Sequence, residues 1–190
     1  GFGGAWAAWK KFGAQAEYFG GHHEKKILPG APDEWKNKEI YMIDFTFPED
    51  AVRKLMICNK RVTAIDHHIT AEQAARITSD YSFDINHSGA VLAWQYFHPN
   101  QPVPALLKYI EDSDLWRFAL PHSREINAFL RIFKQSFELW DAFAKDFENE
   151  ESKKRIIEKG GVVLLYKKRL IDQLVERADL VEFEGIKTLV

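Results

Sequence analysis

The chain has 190 residues, 46% of them apolar, and a formal net charge of −2 from 26 basic and 28 acidic residues. That length and apolar fraction suit one domain with a real core plus a piece of a second, and they exclude a disordered chain. The near-neutral balance excludes a bulk field directed at nucleic acid or membrane, although a local cluster of cations or metals can still bind a small nucleotide.

Residues 3–12 read as a helix: Ala5, Ala8, Trp9 and Phe12 share a face, Lys10 and Lys11 point elsewhere, and Gly13 ends it. The same stretch, GFGGAWAAWKKFG, has neither a basic lead nor a small-residue cleavage site, so it is not a signal peptide. Residues 15–19 (QAEYF) suit a short strand, and GGHHEKKILPGAP suits a loop in which His22 and His23 are solvated. EIYMIDF is a buried strand ending in Asp44. Pro48 then opens a helix over EDAVRKLMICN, with acids at its positive end. Cys58, the single cysteine, lies in this apolar stretch and reads as a small core residue. One cysteine permits no disulfide within the chain, which fits a reducing compartment and a cytoplasmic location.

RVTAI (61–65) is the next buried strand, and TAEQAARI (70–77) is helical, with Thr70 able to cap it. SGAVLAWQYF (88–97) is a helix capped by Ser88 and stopped at His98-Pro99. PVPALLKYIEDSDLW (102–116) opens on prolines and runs as a helix with Leu106, Leu107 and Ile110 on the core side. SREINAFLRIF (123–133) and FELWDAFAKDF (137–147) are further helices. Residues 152–178 form a long amphipathic helix, with Ile157, Leu164, Ile171, Leu174 and Ala178 at helical intervals and Gly160-Gly161 as a weak or bending point. LVEFEGIKTLV is a closing strand. No apolar run approaches the roughly 18 residues that span a bilayer, so no membrane partner is expected.

Strands alternating with helices predict an α/β fold with a doubly wound, mostly parallel sheet. The expected division is a sheet domain over 1–135, a helical connector over 136–179 and the start of a second domain over 180–190. A sheet of this kind begins with a strand that feeds the first helix, whereas here a helix comes first and the strand at 180 has no domain to receive it. The expectation is a chain cut at both ends.

Asp44 ends one buried strand, and Asp66, His67 and His68 end the next. Ligands of open α/β sheets bind outside the carboxyl ends of strands. Neighbouring strands lie about 4.8 Å apart, so these side chains converge. Carboxylates with imidazoles and no thiol suit manganese, iron, cobalt, magnesium or zinc. A carboxylate bridging two such ions about 3.5–4 Å apart is the arrangement for in-line displacement at phosphorus. Asp112 and Asp114 end a helix leading into Leu115-Trp116, and Arg117 and Arg124 are charges able to reach a phosphate. A lone Asp after a strand is as often a turn residue; two strand ends carrying metal-type ligands favour a metal site. The Trp6, Trp9, Phe12 stripe reads as core packing rather than a base-stacking platform. With no strand before it, that face would lie exposed and promote self-association, which admits a homodimer.

IDHH after a strand, YMIDFTFP upstream of it, HSGAVLAWQYF after it and then YIEDSDLW, in that order, resemble the DHH phosphoesterase family over residues 1–135. The resemblance implies a Rossmann-like domain with a two-metal site, usually manganese, with magnesium, cobalt or zinc as substitutes. It implies hydrolysis of a phosphoanhydride or phosphodiester in a phosphate-containing small molecule or short oligonucleotide. On this resemblance Asp44 bridges the metals, His67 is a ligand, and His68 contacts the substrate phosphate or protonates the leaving group. Asp66 orients an imidazole, and Asp112, in preference to Asp114, is the last ligand. Ser88 and Arg117 are the further substrate-binding candidates. The family's first His-plus-Asp motif would precede Gly1, and its second domain, with a Gly-rich phosphate loop, would follow Val190. The alternative is therefore a catalytically incomplete module that binds nucleotide or RNA ends. An HD-type phosphohydrolase fits poorly, because its ligands sit on helices and RVTAI is too short and β-branched to be one.

Overall fold

The computed structural model describes residues 1–20 and 35–189. Its elements are α1 (Phe2–Phe12), β1 (Glu39–Ile43), α2 (Glu49–Cys58), β2 (Arg61–Asp66), α3 (Glu72–Arg76), β3 (Asp80–Phe83), α4 (Gly89–Phe97), α5 (Ala105–Asp114), α6 (Ser123–Leu130), α7 (Phe137–Phe147), α8 (Glu150–Arg177), β4 (Leu180–Phe183) and β5 (Ile186–Leu189). The loop containing His22 and His23 lies outside the described residues.

The fold is mixed α/β. β1, β2 and β3 form a parallel sheet in that order, with Ile43 opposite Ile65 and Asp66 opposite Phe83. Strand alternation splits the side chains between two cores. Met42, Val62 and Ala64 pack with Val52 and Leu55 of α2 and Ala74 and Ala75 of α3. Ile65, with Tyr41 and Ile43 against it, joins a larger core built from α1, α4, α5, α6 and α7. β2 is thus buried on both faces, which is why RVTAI is a nearly continuous apolar run. Helices cover both faces, as expected, but the three strands follow sequence order without the reversal that defines double winding.

α4 is apolar nearly all round and runs through the larger core, capped where Ser88 Oγ accepts from Val91 N (3.2 Å). Trp6 stacks on Trp94 with ring centroids 5.5 Å apart, and Trp9 stacks on Phe137 at 5.4 Å. The aromatic stripe is therefore packed, and the expected exposure of that face does not occur. Truncating Trp6, which is fully buried, should cost about 3–5 kcal/mol.

Several local expectations are corrected. Residues 15–19 are not a strand; the chain makes a 3-10 turn at Gly13–Gln15, and the Tyr18 hydroxyl donates back to Gly13 O (2.9 Å). Cys58 is half-buried at the end of α2 rather than in the core. β3, written DYSF, pairs with β2 although its sequence is too short and polar to announce a strand. The closing segment is an antiparallel hairpin, turned at Glu184 and Gly185, both with positive φ. α8 is one continuous helix through Gly160-Gly161. Gly160 serves close packing instead of bending, because a Cβ there would collide with the Glu125 carbonyl of α6. Past Gly160 no described residue of α8 is buried. No helix among the described residues is long and apolar enough to cross a membrane.

Candidate metal centre

β1 and β2 deliver their ends side by side. The Asp44 N–H donates to Ile65 O (2.8 Å), extending the parallel ladder by one step, and the chain then turns with Asp44 at φ +57. That left-handed conformation is uncommon outside glycine and costs about 1–3 kcal/mol. The turn aims the Asp44 carboxylate at the first residue of α4. That residue is Gly89, and any Cβ there would occupy the carboxylate's space. Glycine at this position lets the positive end of α4 approach Asp44.

The end of β2 is organised by Asp66, which has no solvent exposure. Its Oδ1 accepts from the backbone N–H of His67 (2.7 Å) and His68 (3.1 Å) and lies 2.7 Å from His68 Nδ1. Its Oδ2 accepts from the Thr46 hydroxyl (2.6 Å). The contact between Nδ1 and this carboxylate fixes the orientation of the His68 ring.

Ligand atoms of Asp44, His67 and His68 all lie within 4.8 Å of one another. His67 Nε2 is 3.1 Å from Asp44 Oδ1 and 3.6 Å from Asp114 Oδ2. Asp44 Oδ1 is buried, and the approach of His67 lacks hydrogen-bond geometry, so this oxygen has no hydrogen-bond partner. A buried carboxylate oxygen without a hydrogen bond can take a further ligand, and a divalent cation is one that fits.

The charges bear this out. Burial works against ionisation of Asp44, yet the His67 imidazole beside it holds its carboxyl below the usual carboxylate range. The Asp44 carboxylate in turn raises the His67 imidazole above its ordinary range, against the effect of burial. Asp114 is pushed upward by burial and then by the neighbouring Asp44 charge. Two carboxylates repelling one another across one imidazole is the electrostatic state that a cation relieves.

Of the residues expected at the site, Asp44, Asp66, His67 and His68 are brought together. Asp112 is not brought to the cluster: its Oδ1 accepts from Ala119 N (2.9 Å) and its Oδ2 from Leu120 N (3.2 Å), buried beneath the turn after α5. Asp114, two residues on, is the carboxylate that faces His67. Ser88 is only 1% exposed and is spent on capping α4. Arg117 is exposed, but its Nη2 donates to Asn86 O (2.7 Å), so it braces the loop before α4. Arg124 lies over the Phe118 ring, 4.0 Å from its centroid.

Sequence reading missed Glu111, whose Oε2 accepts from Ser88 N (2.8 Å) and lies 3.1 Å from His87 Nδ1, tying α5 to the start of α4. A signal was present. Glu111 and Asp114 are three apart and share a helix face, whereas Asp112 points away from both. Gly89 and Thr46 were also missed, since neither carries the residue type that a ligand search looks for.

No known family model matches the chain, and no solved structure matches it. Among curated proteins, the chain is similar to an uncharacterized protein, R106, of Acanthamoeba polyphaga mimivirus, with 27% identity over 151 residues. The match covers 78% of this chain and 35% of that protein, so the chain spans only part of its relative's length.

Proposed function

We propose that the chain carries the metal centre of a DHH-type phosphohydrolase that cleaves a phosphoanhydride or phosphodiester. The observation that supports this most is the meeting of Asp44, His67 and His68 beside a buried carboxylate oxygen that lacks a hydrogen bond. Asp44 and His67 would hold the ion, with His68 and Asp114 as the further donors within reach, and with manganese first and magnesium, cobalt or zinc as substitutes. Bound there, the ion supplies charge neutralisation at the phosphate and a more acidic water. His68, 42% exposed and oriented by Asp66, is placed to hold a phosphate oxygen or pass a proton to the leaving group. The positive end of α4 beside Asp44 favours an anionic substrate. The order of the four motif segments supports the DHH-type reading.

A second reading is a module that binds a nucleotide or RNA end without turnover. The number of donors favours it: among the described residues Asp44, His67, His68 and Asp114 suffice for one ion, not two. Manganese calorimetry combined with a phosphodiester hydrolysis assay separates the readings. Tight binding and manganese-dependent turnover, both lost in Asp44→Ala, support the hydrolase. Binding without turnover selects the module, and no manganese binding removes both.

A further inference from the structure

We propose that Trp116 is a stacking platform for a nucleobase, which makes the substrate of the candidate metal centre a nucleotide or short oligonucleotide rather than pyrophosphate or a sugar phosphate. The inference rests on the metal-and-phosphate reading above and adds a specificity to it. Trp116 is 76% exposed, whereas Trp6, Trp94 and Trp140 are buried and Trp9 and Trp35 half-buried. It follows Asp114 by two residues, a span of at most about 7 Å of chain, and Asp114 Oδ2 lies 3.6 Å from His67 Nε2. That chain span puts the Trp116 backbone, measured from Asp114, within the phosphate-to-base reach of one nucleotide.

The display is rigid. Trp116 sits at φ +56, a conformation that disfavours a bulky side chain, and Phe118 follows at φ +47. The backbone is nonetheless fully engaged. Trp116 N donates to Ser113 O (3.1 Å), and the next two N–H groups donate to Asp112 O at 2.9 and 3.1 Å. The Asp112 carboxylate takes the two N–H groups after those. Phe118 meets the indole edge-to-face at 5.1 Å and is itself covered by Arg124. A buried aspartate therefore holds a strained turn whose visible product is an exposed indole two residues along the chain from Asp114. Strain of this kind tends to gather at ligand clamps. Arg117, next in sequence, is anchored on Asn86. The occupant that suits an exposed aromatic face and a proposed phosphate site a short chain span away is a base attached to a phosphate.

The test is calorimetry on the full chain with manganese present, using AMP, ribose 5-phosphate and inorganic phosphate as probes. Wild type should bind AMP about tenfold more tightly than ribose 5-phosphate, the increment of one stacked base. Trp116→Asn is the informative variant, because asparagine tolerates the left-handed backbone and so preserves the turn. It should bring AMP down to the affinity of ribose 5-phosphate while leaving manganese and phosphate binding unchanged, and Trp116→Phe should retain most of the difference. Equal affinities for AMP and ribose 5-phosphate in wild type, or an AMP preference untouched in Trp116→Asn, overturn the inference and leave the metal reading standing. Failure to bind manganese and phosphate at all overturns both.

Discussion

The turn after β2 and the turn after α5 solve the same problem from different secondary structures. Each holds one inward aspartate that serves backbone N–H groups: Asp66 accepts from His67 and His68, and Asp112 from Ala119 and Leu120. Each also presents a neighbour to the candidate site, His67 and His68 in one case and Asp114 in the other. On the strand, the end of the ladder fixes which side chain turns inward. On the helix, residues two apart point to nearly opposite sides, so Asp112 and Asp114 cannot share a role. The residue left for chemistry is the one the backbone does not need.

The largest expected effect breaks the first turn. Asp66→Ala leaves two backbone N–H groups, the Thr46 hydroxyl and His68 Nδ1 without their acceptor. Unsatisfied buried donors cost about 1–3 kcal/mol each and are not fully additive, so a loss of about 4 kcal/mol is expected. Asp112→Ala strands two N–H groups and should cost about 2–3 kcal/mol. Urea unfolding reads both as midpoint shifts at constant slope.

Glycines test whether close approach serves the site or only the fold. Gly89→Ala forces the Asp44 carboxylate to move, and Gly160→Ala forces α8 away from α6. Both should cost about 2 kcal/mol as overpacking. Only Gly89→Ala should also weaken manganese binding, by about tenfold or more, as a displaced ligand does. Equal manganese affinity in the two variants would detach Asp44 from the metal.

Asp114→Asn probes the outward member of the second turn. It removes a carboxylate repelled by Asp44, so metal-free stability should change by under about 0.5 kcal/mol. Manganese affinity should fall by about tenfold. A large loss of stability with unchanged manganese affinity would exchange the roles of Asp112 and Asp114.

The strand ends were legible because buried parallel strands announce themselves as apolar runs, and Asp44 and Asp66 stand at the ends of two of them. Which helix-borne acid faces His67 was not legible, because EDSD offers three acids of one charge and only their direction around the helix separates them. Ser88 reads equally well as a cap or a phosphate contact, and its burial decides for the cap. β3 escaped because pairing with β2, not its own composition, makes it a strand. The exposed indole of Trp116 was hidden by the helical pattern of residues 102–116, which gives no hint that the helix stops at Asp114 and the backbone reverses hand.

The smallest expected effect uses a third aspartate as a control on the other two. Asp80, at the opposite end of the sheet, accepts from the Tyr96 hydroxyl (2.7 Å) and pairs with Arg61, but it serves no backbone turn and is well exposed. Those partners, the Tyr96 hydroxyl first and then Arg61, hold its carboxyl below the usual range despite some burial. A carboxyl whose folded pKa is depressed contributes stability above its unfolded pKa and loses it as pH falls through the folded value. Asp80→Asn should therefore cost under about 1 kcal/mol at neutral pH, because solvent screens an exposed pair. Unfolding midpoints of wild type and variant should converge as the solution is acidified below the ordinary aspartate range. Were Asp80→Asn to cost as much as Asp112→Ala, hydrogen bonding by any aspartate would explain the stability effects, and the distinction between inward and outward acids would lose its basis.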